Sequence, residues 1–288
     1  MGAEPEIIGH WNQEAERPAR GPANLLPRPV PVAWGRVASP MADPPRPGSP
    51  VRYVARIHPV REVTLVGAAD HPFWKERLRA AGLHPAQVDG KAQVVVSAVG
   101  SRFRGIPFRE LSISVLVSRR EGGPDRDGVF LAGAFNSSRL FAFIERRFFR
   151  TPYRHGAVSV DPRPPASFEV AEAGRAILRG NMAAGGSEGA RYAARTGEEG
   201  WEGPIFLPGA APGAADGDRY FFGKVGGPTR AYPFDPSADA VALDPPPGDG
   251  AVRLLFESRF SGREWVLRET AAHARSGTLR GGAAAAFR

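Results

Sequence analysis

A chain of 288 residues, 42% hydrophobic and 24% charged, is long enough for one large domain or two small ones and has the composition of a globular protein with a real core. Its 38 basic and 30 acidic residues leave a net charge of +8, but the arginines are scattered and only Lys75, Lys91 and Lys224 are lysines, so nucleic acid is not expected as a partner. The absence of cysteine excludes disulfides and thiolate chemistry; no apolar run of about 18 residues offers a membrane span, and the acidic Met1–Glu6 start lacks a signal core, so a cytoplasmic location is expected.

Residues 1–50 are rich in proline, including Pro27, Pro29, Pro31, Pro40, Pro44, Pro45, Pro47 and Pro50, and are expected to form an extended arm rather than a helix. Within it Val30, Val32 and Trp34 alternate as an edge strand could. From Val51 the character changes, and 51–288 is expected to be one domain. Val51–His58 and Glu62–Val66 are strand-like, with a turn near Pro59. Pro72–Ala81 is a short helix with Asp70 as its cap and Phe73, Trp74 and Leu78 on its apolar side. Gln93–Val99 is a buried strand. Leu111–Val117 alternates, so Leu111, Ile113, Val115 and Val117 share one face while Glu110, Ser112 and Ser114 share the other. A turn at Gly122–Asp125 precedes a strand over Val129–Phe135.

Asn136–His155 then predicts an amphipathic helix running into a fixed turn. Asn136 or Ser137 can cap it, and Leu140, Phe141, Ile144 and Phe148 form an apolar stripe. Pro152 ends it by biasing Thr151 away from the helical region. Tyr153, Arg154 and His155 follow at once, polar groups at a rigid exit. Further strands are expected near Ala157–Val160, Ala166–Val170, Arg175–Met182, Tyr220–Phe222, Thr229–Tyr232, Val252–Phe256 and Glu264–Leu267. Gly185–Gly217 reads as loop, and Gly281–Arg288 as a frayed tail. Short strands, frequent turns and only two clear helices predict an α+β domain built on a mostly antiparallel sheet.

Pro152-Tyr153-Arg154-His155 after an aromatic helix resembles the acetoacetate decarboxylase-like superfamily, most of all an uncharacterised bacterial branch with a similar Pro-Tyr turn. In decarboxylases of that superfamily a Pro-Lys-Lys follows the corresponding helix, and its first lysine forms the Schiff base. Matching on Pro152 puts Tyr153 at that position and Arg154 at the next. Pro107–Ser112 is similar to the strand bearing an acidic active-site residue, which maps to Glu110, and Gly128-Val129-Phe130 resembles the strand before the helix. The resemblance spans roughly Val51 to Met182. It implies a curved sheet or barrel-like β core, and a pocket from which the imine-forming amine is missing.

On this reading Glu110 is the acid or base, its pKa raised by an apolar pocket. Tyr153 polarises a carbonyl. Arg154 clamps a carboxylate, or else makes a structural ion pair with Glu145 or Glu110. His155 and Ser112 contact the substrate. Lys224 could supply an amine from another strand, though a solvated strand-end lysine is the plainer reading. None of the six histidines is spaced as a local metal pair, so neither metal nor cofactor is expected. Two functions follow: a pocket enzyme that acts on a small oxo-acid or related carbonyl compound by lyase, hydratase or cyclase chemistry without an imine, or a non-catalytic small-molecule binding module on the same fold. The expected partner is a small carbonyl or carboxylate ligand; homo-oligomerisation is left open.

Overall fold

The computed structural model describes residues 50–184, 193, 195–209, 219–246, 248, 250–281 and 286, all within one compact unit spanning Ala38–Arg288. The proline-rich arm and most of the expected tail lie outside the described residues. In chain order the elements are β1 (Tyr53–Asp70), α1 (His71–Arg79), β2 (His84–Pro85), β3 (Gln87–Val88), β4 (Lys91–Phe103), β5 (Ile106–Ser118), β6 (Gly128–Asn136), α2 (Arg139–Phe148), β7 (Tyr153–His155), β8 (Ala157–Asp161), β9 (Ser167–Glu172), β10 (Arg175–Asn181), β11 (Arg195–Phe206), β12 (Arg219–Pro233), β13 (Ala240–Leu243), α3 (Ala251–Glu257), β14 (Ser261–Ser276) and β15 (Leu279–Arg280). Among the described residues no helix is long and apolar enough to cross a membrane.

The pairing order β5-β4-β1-β14-β12-β11-β6 returns to its start, because β6 also pairs with β5. The large sheet is therefore a ring, antiparallel except where β6 meets β11 and β7. A second, four-stranded sheet runs β13-β10-β9-β8. The α+β class expected from the sequence is what the chain adopts.

Alternation along the strands gives the ring two faces. Val63, Leu65, Val94, Val96, Leu111, Ile113 and Val115 are fully buried on the outward face and share one core with Trp74 and Leu78 of α1 and Phe168 and Val170 of the second sheet. The inward face is mixed, with polar rows beside apolar clusters. Thr64, Ser97 and Ser112 are matched across β1, β4 and β5, and Arg268, Glu62, Val99, Glu110 and Asn136 form the next row over β14, β1, β4, β5 and β6.

Several expectations need correction. Val252–Phe256 is not a strand but lies in α3, with Ala251, Val252 and Leu255 buried on one side. A short apolar run cannot distinguish strand from helix by period alone. The loop expected over Gly185–Gly217 contains the 12-residue strand β11, and the short strands expected around Pro59 and within 220–232 are continuous as β1 and β12. A register shift between Ile57 and Val60 absorbs the turn expected at Pro59. The stripe on α2 is only partly covered. Ala142 alone is buried, Leu140 and Phe148 are exposed, and Phe141 packs edge-on against Phe103 and Phe108 with ring centroids 6.3 and 5.7 Å away.

Candidate active site

The α2 cap sets the geometry of the helix exit. Ser138, rather than Asn136 or Ser137, accepts from the Phe141 amide at 3.3 Å. The Asn136 side-chain oxygen instead accepts from the Ser138 amide at 2.8 Å, which ties the end of β6 to the helix start. At the far end the chain turns through Arg150 at φ 52° and Thr151, whose amide bonds the Glu145 carbonyl at 3.2 Å. It then re-enters the sheet as β7, parallel to β6, which places Tyr153 beside Ala134 and His155 beside Asn136.

That register brings two of the expected residues together. The Tyr153 hydroxyl donates to Glu110 Oε1, and Asn136 Nδ2 donates to Glu110 Oε2 at 3.3 Å. The Tyr153 ring is buried with Leu131, Ala134, Leu207 and Phe221 in an apolar cluster separate from the main core. Burial pushes the Glu110 carboxyl up to about 7, against the opposing hydrogen bond from Tyr153; the charge of Glu145 adds to the rise, and Arg275 and His273 oppose it. Burial, with the neighbouring Glu110 carboxylate, holds the Tyr153 phenol well above its ordinary value, so it stays protonated.

Arg275, Glu62, Arg268 and His273 were not singled out from the sequence. Arg275, on β14, makes an ion pair with Glu145 of α2, and Glu145 also accepts from the Thr151 hydroxyl at 3.1 Å. The rings of Phe149 and Phe221 lie against the Arg275 guanidinium at 4.7 and 4.2 Å. Its Nε and Nη2 are buried with no hydrogen-bond partner among the described residues. Two strands stand between β5 and β14 in the ring, yet Phe221, which packs with Tyr153, also lies against Arg275, and the charges of Arg275 and Glu110 act on each other. Beside Arg275, Glu62 is buried and accepts from Thr64 Oγ1 at 2.7 Å and Arg268 Nη1 at 3.0 Å, with His273 Nε2 at 3.0 Å.

The remaining expected residues lie elsewhere. Arg154 does not join Glu110 and Tyr153. Successive strand residues point to opposite faces, so with Tyr153 inward Arg154 faces out. There it pairs with Glu172 at 3.6 Å rather than with Glu145 or Glu110, and lines a separate groove of about 350 Å³ with Arg77, Arg253, Leu254 and Glu257. His155 is exposed at the end of β7. Ser112 shares the inward face with Glu110, opposite Ser97. None of the three lysines approaches the pair: Lys75 bonds Glu121, Lys91 is exposed at the start of β4, and Lys224 bonds Glu202 at 2.7 Å on the outward face.

No family model and no curated protein matches the sequence. Solved structures do. An acetoacetate decarboxylase from Legionella pneumophila subsp. pneumophila str. Philadelphia 1 is 12% identical over 86% of this chain and 94% of its own, with a TM-score of 0.55. A second acetoacetate decarboxylase structure is 11% identical over 79% and 88%, with a TM-score of 0.50. An acetoacetate decarboxylase-like enzyme from Sphingomonas wittichii RW1 is 16% identical over 79% and 92%, with a TM-score of 0.49. At these identities the likeness is one of fold, and the fold of this chain is that of acetoacetate decarboxylase.

Proposed function

We propose that the chain is an acid–base enzyme acting on a small oxo-acid or related carbonyl compound by lyase, hydratase or cyclase chemistry, without a lysine imine. The observation that carries this reading is the Tyr153–Glu110 hydrogen bond inside the ring, with Glu110 raised to about 7. A phenol held protonated can donate to a carbonyl oxygen, and a carboxyl that titrates near neutrality can return the proton. Tyr153 is the donor and Glu110 its proton reservoir. The carboxylate expected at Arg154 falls instead to Arg275, whose unpartnered Nε and Nη2 form the side-on fork that takes a carboxylate bidentately.

The test is turnover of a panel of 2- and 3-oxo acids by the wild type and by Glu110→Gln. Turnover by the wild type and a loss of about 100-fold or more in the variant, with ligand binding retained, is expected. Binding without turnover by the wild type identifies the binding module instead. Borohydride added with the same acids is expected to leave the intact mass unchanged, and an adduct on any lysine would refute the imine-free chemistry.

A further inference from the structure

The permanent charges inside the ring pair off. Glu62 faces Arg268 at 3.0 Å, and Glu145 faces Arg275. Among the described residues, two further titratable side chains bear on the site. One is Glu110, whose partners are the neutral Tyr153 and Asn136. The other is His273, on the same face of β14 as Arg275, two residues away.

Glu62 determines which ring nitrogen of His273 carries a proton. It is 4% exposed, and although burial alone raises its carboxyl, the hydrogen bond and charge of His273, with Arg268 and Thr64, hold it down at about 2. It is therefore a carboxylate at any ordinary pH, and a carboxylate only accepts. The 3.0 Å contact must then be Nε2–H donating to Glu62 Oε2. Arg268 keeps Glu62 in place, and its own Nε donates to Thr229 Oγ1 at 2.8 Å, so the support spans β1, β14 and β12. Nδ1 of His273 is left with no partner among the described residues, and the side chain keeps 27% of its surface open. His273 contacts Glu62 of β1, its charge acts on Glu110 of β5, Arg268 and Arg275 lie on its own strand, and Ile57 and Val225 are beside it in register.

We infer that His273 is a second catalytic residue of this site, a base acting through Nδ1, with Glu62 and Arg268 as its positioning residues. The inference rests on the Glu110–Tyr153 reading and adds its other half. Nδ1 takes a proton from the carbon next to the substrate carbonyl. The C–H pair becomes the C=C bond, and the carbonyl π pair moves to oxygen, which takes the Tyr153 proton as Glu110 replaces it. The products are an enol, an imidazolium and a carboxylate. The reverse transfer returns both protons, so no co-reactant is needed. Enolisation requires both, a base for the proton on carbon and an acid for the carbonyl oxygen.

Two measurements on the full chain test this. The first is solvent deuterium uptake at C3 of pyruvate with the wild type, His273→Gln, Glu62→Gln and Glu62→Asp. Expected are uptake by the wild type, a loss of about 100-fold in His273→Gln with the pyruvate KM within about threefold, and partial recovery in Glu62→Asp relative to Glu62→Gln. Uptake in His273→Gln within about threefold of wild type overturns the assignment. The second is ¹⁵N NMR of the His273 ring with and without pyruvate, which needs no turnover and no variant that must fold. The Nε2–H tautomer and an Nδ1 resonance displaced by pyruvate support the base. The Nδ1–H tautomer, or an Nδ1 resonance that pyruvate leaves unmoved, overturns it. If the wild type shows no uptake, the Glu110–Tyr153 chemistry fails, and the ring spectrum alone decides for or against His273.

Discussion

Tyr153 and Glu110 set each other's protonation. The hydrogen bond from the phenol stabilises the Glu110 carboxylate, and burial opposes it more strongly. Removing the hydroxyl leaves the burial in place, so Tyr153→Phe is expected to move Glu110 above about 7, by on the order of one unit. A ¹³C-carboxyl titration of the two proteins reads this directly, and an unchanged or lowered midpoint would count against the pair. Alternation alone placed Glu110 only beside Ser112 and Ser114; it was the family resemblance that singled out Glu110 and, through the Pro-Tyr turn, Tyr153. Arg154 was misplaced because 153–155 was read as a turn, in which consecutive side chains can converge. As a three-residue strand it obeys alternation and sends Arg154 outward. Arg275 and His273 were missed for the complementary reason. In Ala271-Ala272-His273-Ala274-Arg275 the outward positions are alanines, so no apolar period marks a strand there, and the expected strand stopped at Leu267.

At the scale of elements, β6 is the hinge of the site. It pairs with β5 on one edge and with β7 and β11 on the other, so the position of Tyr153 against Glu110 depends on where β6 lies. On its outward side α3 comes so close at Gly133 that a Cβ there would stand 2.4 Å from the Ala251 Cβ. The contact is between a strand backbone and a helix start, so neither side yields easily. Gly133→Ala is expected to cost about 1–3 kcal/mol in urea unfolding by forcing α3 off the strand. A cost below about 0.5 kcal/mol would mean that the helix docks more loosely than this spacing implies. This packing also explains why α3 escaped the sequence reading. Its buried residues are set by one close approach to β6 rather than by a long periodic face, and seven residues are too few to display a helical period.

For the molecule as a whole, the ring stores its acid–base groups at a cost in stability that depends on pH, with opposite signs for Glu110 and Glu62. Glu110 has a folded-state value of about 7 against an ordinary 4.5, so the native state holds a proton that the unfolded chain has already released. Its contribution is fully present below about pH 4.5 and is lost as pH rises through about 7, a change on the order of 3 kcal/mol. Glu62, at about 2, behaves the other way: its contribution is present above about pH 4.5 and is lost as pH falls toward about 2. The inward face is thus least costly near pH 4.5 to 5, on the acid side of neutrality. Comparing wild type with Glu110→Gln isolates the first group, because glutamine keeps the shape and never ionises. Urea unfolding across roughly pH 4 to 8 is expected to show the wild type losing stability relative to the variant as pH rises, with the difference levelling above about pH 7. A difference that stays flat across that range would place Glu110 in contact with solvent, and the carboxyl could not then serve as a proton reservoir for Tyr153.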